Sequence, residues 1–299
     1  MRLATKWRAD LMRTPMTWLA FVVGLLLLFG VAISLGESLG PSMGNGAPAA
    51  PGGEGGPPGN GDTRLQDAPT GVSLSDRGYV MLPVVTRFTA GQTSDFSFSI
   101  FTVKRAPVTK FAVDHERRMH LVVVRRDLSG YQHLDPTMAS DGTWTTPLRL
   151  AEPGSYRAFA TFLPVGVTEP VTLGVDLEVP GLVTSKAVPQ PSTLARVDEY
   201  TVMLEGDVIA GGVSRLYANV LRNDDPITNL QPYLGAPGHL VMLREGDMAY
   251  VHVSPLPDSG SKGTISFEAQ VPTSGYYRVF LDFRHQGEVH TAEFTVLAS

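Results

Sequence analysis

Residues 119–136, MHLVVVRRDLSGYQHLDP, align without a gap to residues 238–255, GHLVMLREGDMAYVHVSP, and seven of the eighteen positions are identical. The matches keep their order outward from this stretch. Downstream, GSYRAFATF at 154–162 meets GYYRVFLDF at 275–283 in a shared GxYRxFxxF pattern, with the offset changed only from 119 to 121. Upstream, Ala90-Gly91 meets Ala210-Gly211, and Pro107 with Thr109 meets Pro226 with Thr228. Similarity held in register over this length is a tandem duplication of one module, so the fold is to be read once and counted twice.

Each copy reads as β. Short runs rich in Val, Leu, Phe, Tyr and Thr stop at Gly, Pro, Asp and Ser, as at 95–103, 120–125, 172–179, 263–270 and 291–297. No run in this region sustains a helical period. Several short strands in about 100 residues predict an immunoglobulin-like sandwich, here without the Cys…Trp…Cys core of true immunoglobulin domains. In the repeated Tyr-Arg pair, alternation along a strand sends Tyr156 and Tyr277 inward and Arg157 and Arg278 outward. Asp141-Gly142 is a turn.

The candidate chemistry lies on the hairpin that opened the alignment. Gly246-Asp247 is a two-residue turn signal, and centring the hairpin there pairs Leu243 with Tyr250, Val241 with His252 and His239 with Ser254 on one face. The same register in copy one puts His120 opposite Asp135 with His133 beside them. Copy two adds His285 and His290, where copy one has apolar residues. A metal set of His239, His252, His285 and His290 is therefore the first expectation, and His120, His133 and Asp135 the second, since imidazole and carboxylate are ligands for transition metals. The competing reading is structural: His120–Asp135 a hydrogen-bonded ion pair, His239–Ser254 a neutral pair, His285 a solvated turn residue and His115 part of a charged loop. Met119, Met138 and Met242 lie nearby without forming a Met-x-x-Met cluster, and Met242 faces the core in this register.

Ahead of the copies, MTWLAFVVGLLLLFGVAISL at 16–35 is an uncharged run of 20 residues, enough for a helix to cross a bilayer. Arg2, Lys6, Arg8 and Arg13 precede it, so the positive-inside rule keeps the N-terminus cytoplasmic and sends the copies outward. A cleaved signal peptide is the other reading of this segment; it gives the copies the same address. GNGAPAAPGGEGGPPGNGD at 44–62 can bury no apolar face and reads as a mobile tether. The expected organisation is a basic tail at 1–15, a transmembrane helix at 16–36, a linker at 37–70, copy one at 71–182, a second linker at 183–197 (VTSKAVPQPST and the residues after it) and copy two at 198–299.

Composition narrows the function classes. The 299 residues suffice for two domains, and 43% hydrophobic with 18% charged residues describes a folded chain. A net charge of −5 with scattered basic residues disfavours nucleic acid. The absence of cysteine removes disulfides, thiolate metal sites, cysteine nucleophiles and lipoprotein anchoring. Gly36-Glu37-Ser38-Leu39-Gly40 matches G-x-S-x-G only in letters, because a nucleophile elbow needs a buried strand before it and a helix after it. No metalloprotease, P-loop or dinucleotide motif appears, so an enzyme is not expected.

The H-x12-H-x-x-P hairpin followed by GxYRxF resembles the YtkA-like and CopC-like extracytoplasmic β-sandwiches over roughly 72–180 and 198–297. Tandem copies behind one anchor look like an actinobacterial arrangement. The resemblance implies a heavy-metal context, with copper as the implied ion. This chain departs from the pattern where a second histidine is expected, with Asp135 and Ser254 in its place. Two classes therefore stay open. One is a single-pass, membrane-anchored, extracytoplasmic metal-binding or metal-trafficking protein, with any site favouring copy two. The other is a non-catalytic module for protein interaction or assembly, with a membrane or exported protein as partner and no metal site.

Overall fold

The computed structural model describes residues 69–257 and 263–299. The expected membrane helix, the basic tail and nearly all of the first linker lie outside the described residues. The described residues form one compact unit.

Copy one contributes β1 (Ser75–Asp76), β2 (Tyr79–Pro83), β3 (Thr93–Thr102), β4 (Phe111–Ala112), β5 (His120–Arg125), β6 (Gln132–Leu134), β7 (Thr137–Met138), β8 (Thr143–Arg149), β9 (Gly154–Pro164) and β10 (Val171–Val179). Copy two contributes β11 (Leu194–Val197), β12 (Tyr200–Glu205), β13 (Gly212–Arg222), β14 (Asp225–Pro226), β15 (Gly238–Arg244), β16 (Tyr250–Val251), β17 (Val253–Pro255), β18 (Thr264–Val271), β19 (Gly275–His285) and β20 (Glu288–Ala298). In copy one the sheets run β1-β2-β3-β8-β7 and β10-β9-β5-β6; in copy two they run β11-β12-β13-β18-β17 and β20-β19-β15-β16. The second pair repeats the ladders of the first in order, while the short β4 joins β9 and the short β14 joins β13. The duplication read from the residues is thus a duplication of topology, in antiparallel ladders throughout.

Alternation builds each sandwich. In β3, Phe96, Phe98 and Ile100 are buried while Ser97 and Ser99 stay on the outer side. With Trp144, Leu148, Tyr156, Phe162 and Leu173 they fill copy one; Leu216, Phe267, Tyr277, Leu281 and Phe294 do so in copy two. The repeated tyrosine is a tyrosine corner in each copy: Tyr156 Oη donates to the Glu152 carbonyl at 2.8 Å, and Tyr277 Oη to the Thr273 carbonyl at 2.8 Å. Strand order and corners together make both copies immunoglobulin-like. Arg157 pairs with Asp176 at 2.8 Å, whereas Arg278 is buried and pairs with Glu293.

Two boundaries differ from expectation. The second linker ends early, since Leu194–Val197 is already β11, paired to β12. Thr70, assigned to the first linker, bridges to Tyr250 of copy two, and its Oγ1 donates to the Tyr250 carbonyl at 2.5 Å.

β5 is buried at every position, so both of its faces are covered. One face belongs to the core of copy one. The other packs on copy two in a separate cluster of Val122, Val124, Leu128 and Phe159 with Val241, Leu243, Met248, Tyr250 and Phe280. Equivalent residues meet there: Tyr131 stacks on Phe280 with centroids 4.2 Å apart, and its counterpart Tyr250 lies 5.6 Å from Phe159. The copies are joined by the same surface used twice, as in a two-fold dimer folded into one chain.

Candidate functional site

The joined faces bring histidines of the two copies together. His120 opens β5 and His239 is the second residue of β15, so each stands at the same end of its hairpin face. Their rings stack at 5.4 Å and 5°, an equivalent pair meeting across the contact. His133 joins from β6, opposite Val122, with its ring 4.7 Å from that of His239 and 5.9 Å from that of His120. One ring nitrogen of each lies within 4.8 Å of the others.

The surroundings fix two of the rings. His120 Nε2 donates to the Asp114 carbonyl at 3.0 Å, which leaves Nδ1 facing inward; that atom is buried and has no hydrogen-bond partner. His133 Nδ1 donates to the Asp282 carboxylate at 3.0 Å, leaving Nε2 as the remaining nitrogen. His239 Nδ1 is also buried and unpartnered, although part of the residue reaches the surface. Burial pushes His120 down to about 4, with His133 adding in the same direction. Burial likewise pushes His239 well below the usual imidazole range, followed by His133 and His120. Both rings are neutral at neutral pH, the form in which imidazole binds metals.

Asp282 is the hub beneath them. Its side chain is 1% exposed and accepts from Tyr131 Oη at 2.9 Å, His133 Nδ1 at 3.0 Å and Thr291 Oγ1 at 2.6 Å. Burial, then the Asp282 charge, raise the Tyr131 hydroxyl well above its ordinary value. The counterpart of Asp282 in copy one is Thr161, so the site is one-sided although the interface is two-fold. Sequence reasoning passed over Asp282. The available signal was a carboxylate inside an otherwise apolar strand, at a position where the repeat carries Thr.

The other expected ligands lie elsewhere. The hairpin of copy two keeps its register at Leu243–Tyr250, then breaks at His252, because Val253–Pro255 crosses to pair with β18. His252 therefore does not face Val241, and the His239–Ser254 pair does not form; Ser254 bonds instead to His252 at 3.1 Å. In copy one β6 stays in its sheet through Leu134, which keeps His133 on the interface. Asp135 does not pair with His120 but with Arg117, through two bonds of 2.5 and 2.8 Å. His285 is a buried strand residue rather than a solvated turn residue, with Nδ1 2.8 Å from Tyr200 Oη. His290 Nδ1 lies 2.7 Å from the Asp198 carboxylate. The four copy-two histidines thus do not form one group, and the triad draws two of its rings from copy one. His115 sits in a charged loop as expected, 2.9 Å from Asp114.

A family model described as a domain of unknown function, DUF8832, matches the chain twice, at 75–179 and 195–299. No curated protein matches it. Among solved structures, the Escherichia coli adhesin FdeC is 12% identical with a TM-score of 0.24, over 76% of this chain and 66% of that one. The bacterial integrin-binding protein invasin is 12% identical with a TM-score of 0.23, over 76% and 41%. Domains 5–6 of the S-layer protein SbsC are 12% identical with a TM-score of 0.22, over 74% and 97%. The chain thus spans less than two thirds of the length of FdeC and less than half of invasin.

Proposed function

The chain belongs to the DUF8832 family as a tandem pair, and we propose that it is a non-catalytic assembly module, held outside the cytoplasm by its N-terminal segment, that binds an exported or membrane protein. One observation carries this reading. The copies turn their hairpin faces on each other within one compact unit, and among the described residues the outer face of β11, β12 and β13 takes no part in that contact. Leu194, Met203 and Val213 stand exposed on that face, and Leu194 is the cross-strand partner of Met203. A photo-crosslinking residue at 203 or 213 of the full chain in cells should give a discrete adduct with one exported or membrane protein. Adducts that are absent there, or equally frequent from the buried positions 122 and 280, would overturn the reading.

A second reading is metal handling outside the membrane, with copper as the ion implied by the resemblance to YtkA-like and CopC-like proteins. The convergence of three histidine rings favours it.

A further inference from the structure

We propose that His120, His133 and His239 form a single site for a borderline divalent cation of the Zn(II) or Cu(II) type, built jointly by the two copies and absent from either alone. The donors suit such an ion: three imidazole nitrogens with no thiolate, and a carboxylate placed behind rather than at the metal. His120 offers Nδ1 because its Nε2–H is held by the Asp114 carbonyl, and His133 offers Nε2 because its Nδ1–H is held by Asp282. Ligating histidines characteristically have the second nitrogen fixed by a carbonyl or carboxylate in this way, and both kinds of partner are present.

The two orphaned nitrogens are the second, independent observation. A buried ring nitrogen without a partner costs free energy, and His120 Nδ1 and His239 Nδ1 are both in that state within the same cluster. His120 is 5% exposed, so solvent does not satisfy it from outside. A metal does so for both at once. Nitrogens on a tetrahedral Zn(II) with bonds of ~2.0–2.1 Å stand roughly 3.3 Å apart, so the present spread of at most 4.8 Å needs a closure of about 1.5 Å or less per pair.

Two features set this site apart from neighbouring groups. Asp114, His115 and His120 also lie close enough for a shared ion, but His115 and Asp114 already hold each other. His252, His285 and His290 have other partners. Since two rings come from copy one and the third from copy two, a bound ion also clamps the interface.

The test uses the full chain in detergent, stripped with a chelator and titrated with Zn(II), Cu(II) and Mg(II). The expected result is one Zn(II) or Cu(II) per chain at micromolar or lower concentration, no Mg(II), and a Cu(II) resonance spectrum with coupling to three nitrogens. His120→Ala, His133→Ala and His239→Ala should each weaken binding at least 100-fold. Asp282→Asn should weaken it about 10- to 100-fold by freeing the His133 ring, and His115→Ala and His252→Ala should change it less than threefold. In the unmutated chain Zn(II) should raise the urea concentration at which the copies separate, a readout that needs no variant to fold. No binding at 100 times the protein concentration, binding that survives His239→Ala, or copies that separate at the same urea with and without Zn(II) would overturn the site. The photo-adducts from 203 and 213 do not depend on the metal, so either proposal can fail without the other.

Discussion

Replacing Phe280 by alanine should undock the two copies while leaving both sandwiches folded. Phe280 is fully buried, yet it belongs to the contact between the copies and not to the core of copy two. It lies opposite Val241 on β15, and Tyr131 of copy one stacks on it at 4.2 Å and 5°. A buried Phe→Ala change costs about 3–5 kcal/mol, of which the aromatic pair supplies roughly 0.5–1.5. At ~1.4 kcal/mol per tenfold, the docked state should lose a factor of roughly 10² to 4 × 10³ over the undocked one. The chain has no cysteine, so spin labels can be placed cleanly at Asp95→Cys on β3 and Arg215→Cys on β13, both exposed. In the otherwise unmutated chain the label distance should stay narrow until β circular dichroism is lost in urea. In Phe280→Ala the distance should broaden at clearly lower urea, with the dichroism still in place. Phe267→Ala, within the core of copy two, should instead lose distance and dichroism together. The reasoning is refuted if Phe280→Ala behaves like Phe267→Ala, or if it leaves the distance profile unchanged.

Tyr156→Phe and Tyr277→Phe each remove the 2.8 Å corner hydrogen bond together with a longer one of 3.3 Å at the same hydroxyl, and should each cost ~1–2 kcal/mol by urea denaturation; no change in either would make the corners ornamental. In chelator-treated protein, the folded pKa of His120 lies at about 4 against an unfolded value of 6.5, so only the unfolded chain takes up this proton between them. The stability tied to this ring is complete above pH 6.5 and falls by about 3 kcal/mol as pH drops to about 4, and His120→Gln should flatten that slope. A Cβ on Gly174 would sit 1.8 Å from the Gly71 carbonyl oxygen, where Gly71 and Ser73 run hydrogen-bonded along β10. Gly174→Ala should therefore release residues 70–74 at a cost of roughly 1–3 kcal/mol, seen as new protease cleavage there; an unchanged digest would contradict the packing.

Much of the fold is legible in the residues. The repeat fixes two equal modules, alternation fixes which side chains enter each core, and Gly246-Asp247 fixes a register that holds at Leu243–Tyr250. His252 departs because local periodicity cannot announce that a strand will change sheets, as this one does between Val251 and Val253. The run HLVVVR at 120–125 carried a signal of its own, since a strand apolar on both faces is covered on both. Nothing local names the covering surface. Only the meeting of Val122 and Val124 with Val241 and Leu243 shows that each copy is the partner of the other. The metal candidates followed the same logic: pairing within one copy is readable from a hairpin, whereas His120 against His239 depends on two faces 119 residues apart.

The docking of equivalent hairpin faces is tested most directly at its centre. With ring-labelled histidines in the full chain, nuclear Overhauser contacts between His120 and His239 should be detectable, as the ring centroids lie 5.4 Å apart and the rings are nearly parallel. Contacts from His133 to His239 should accompany them, at 4.7 Å. Assigned signals for all three rings with no contact between His239 and either ring of copy one would contradict the account.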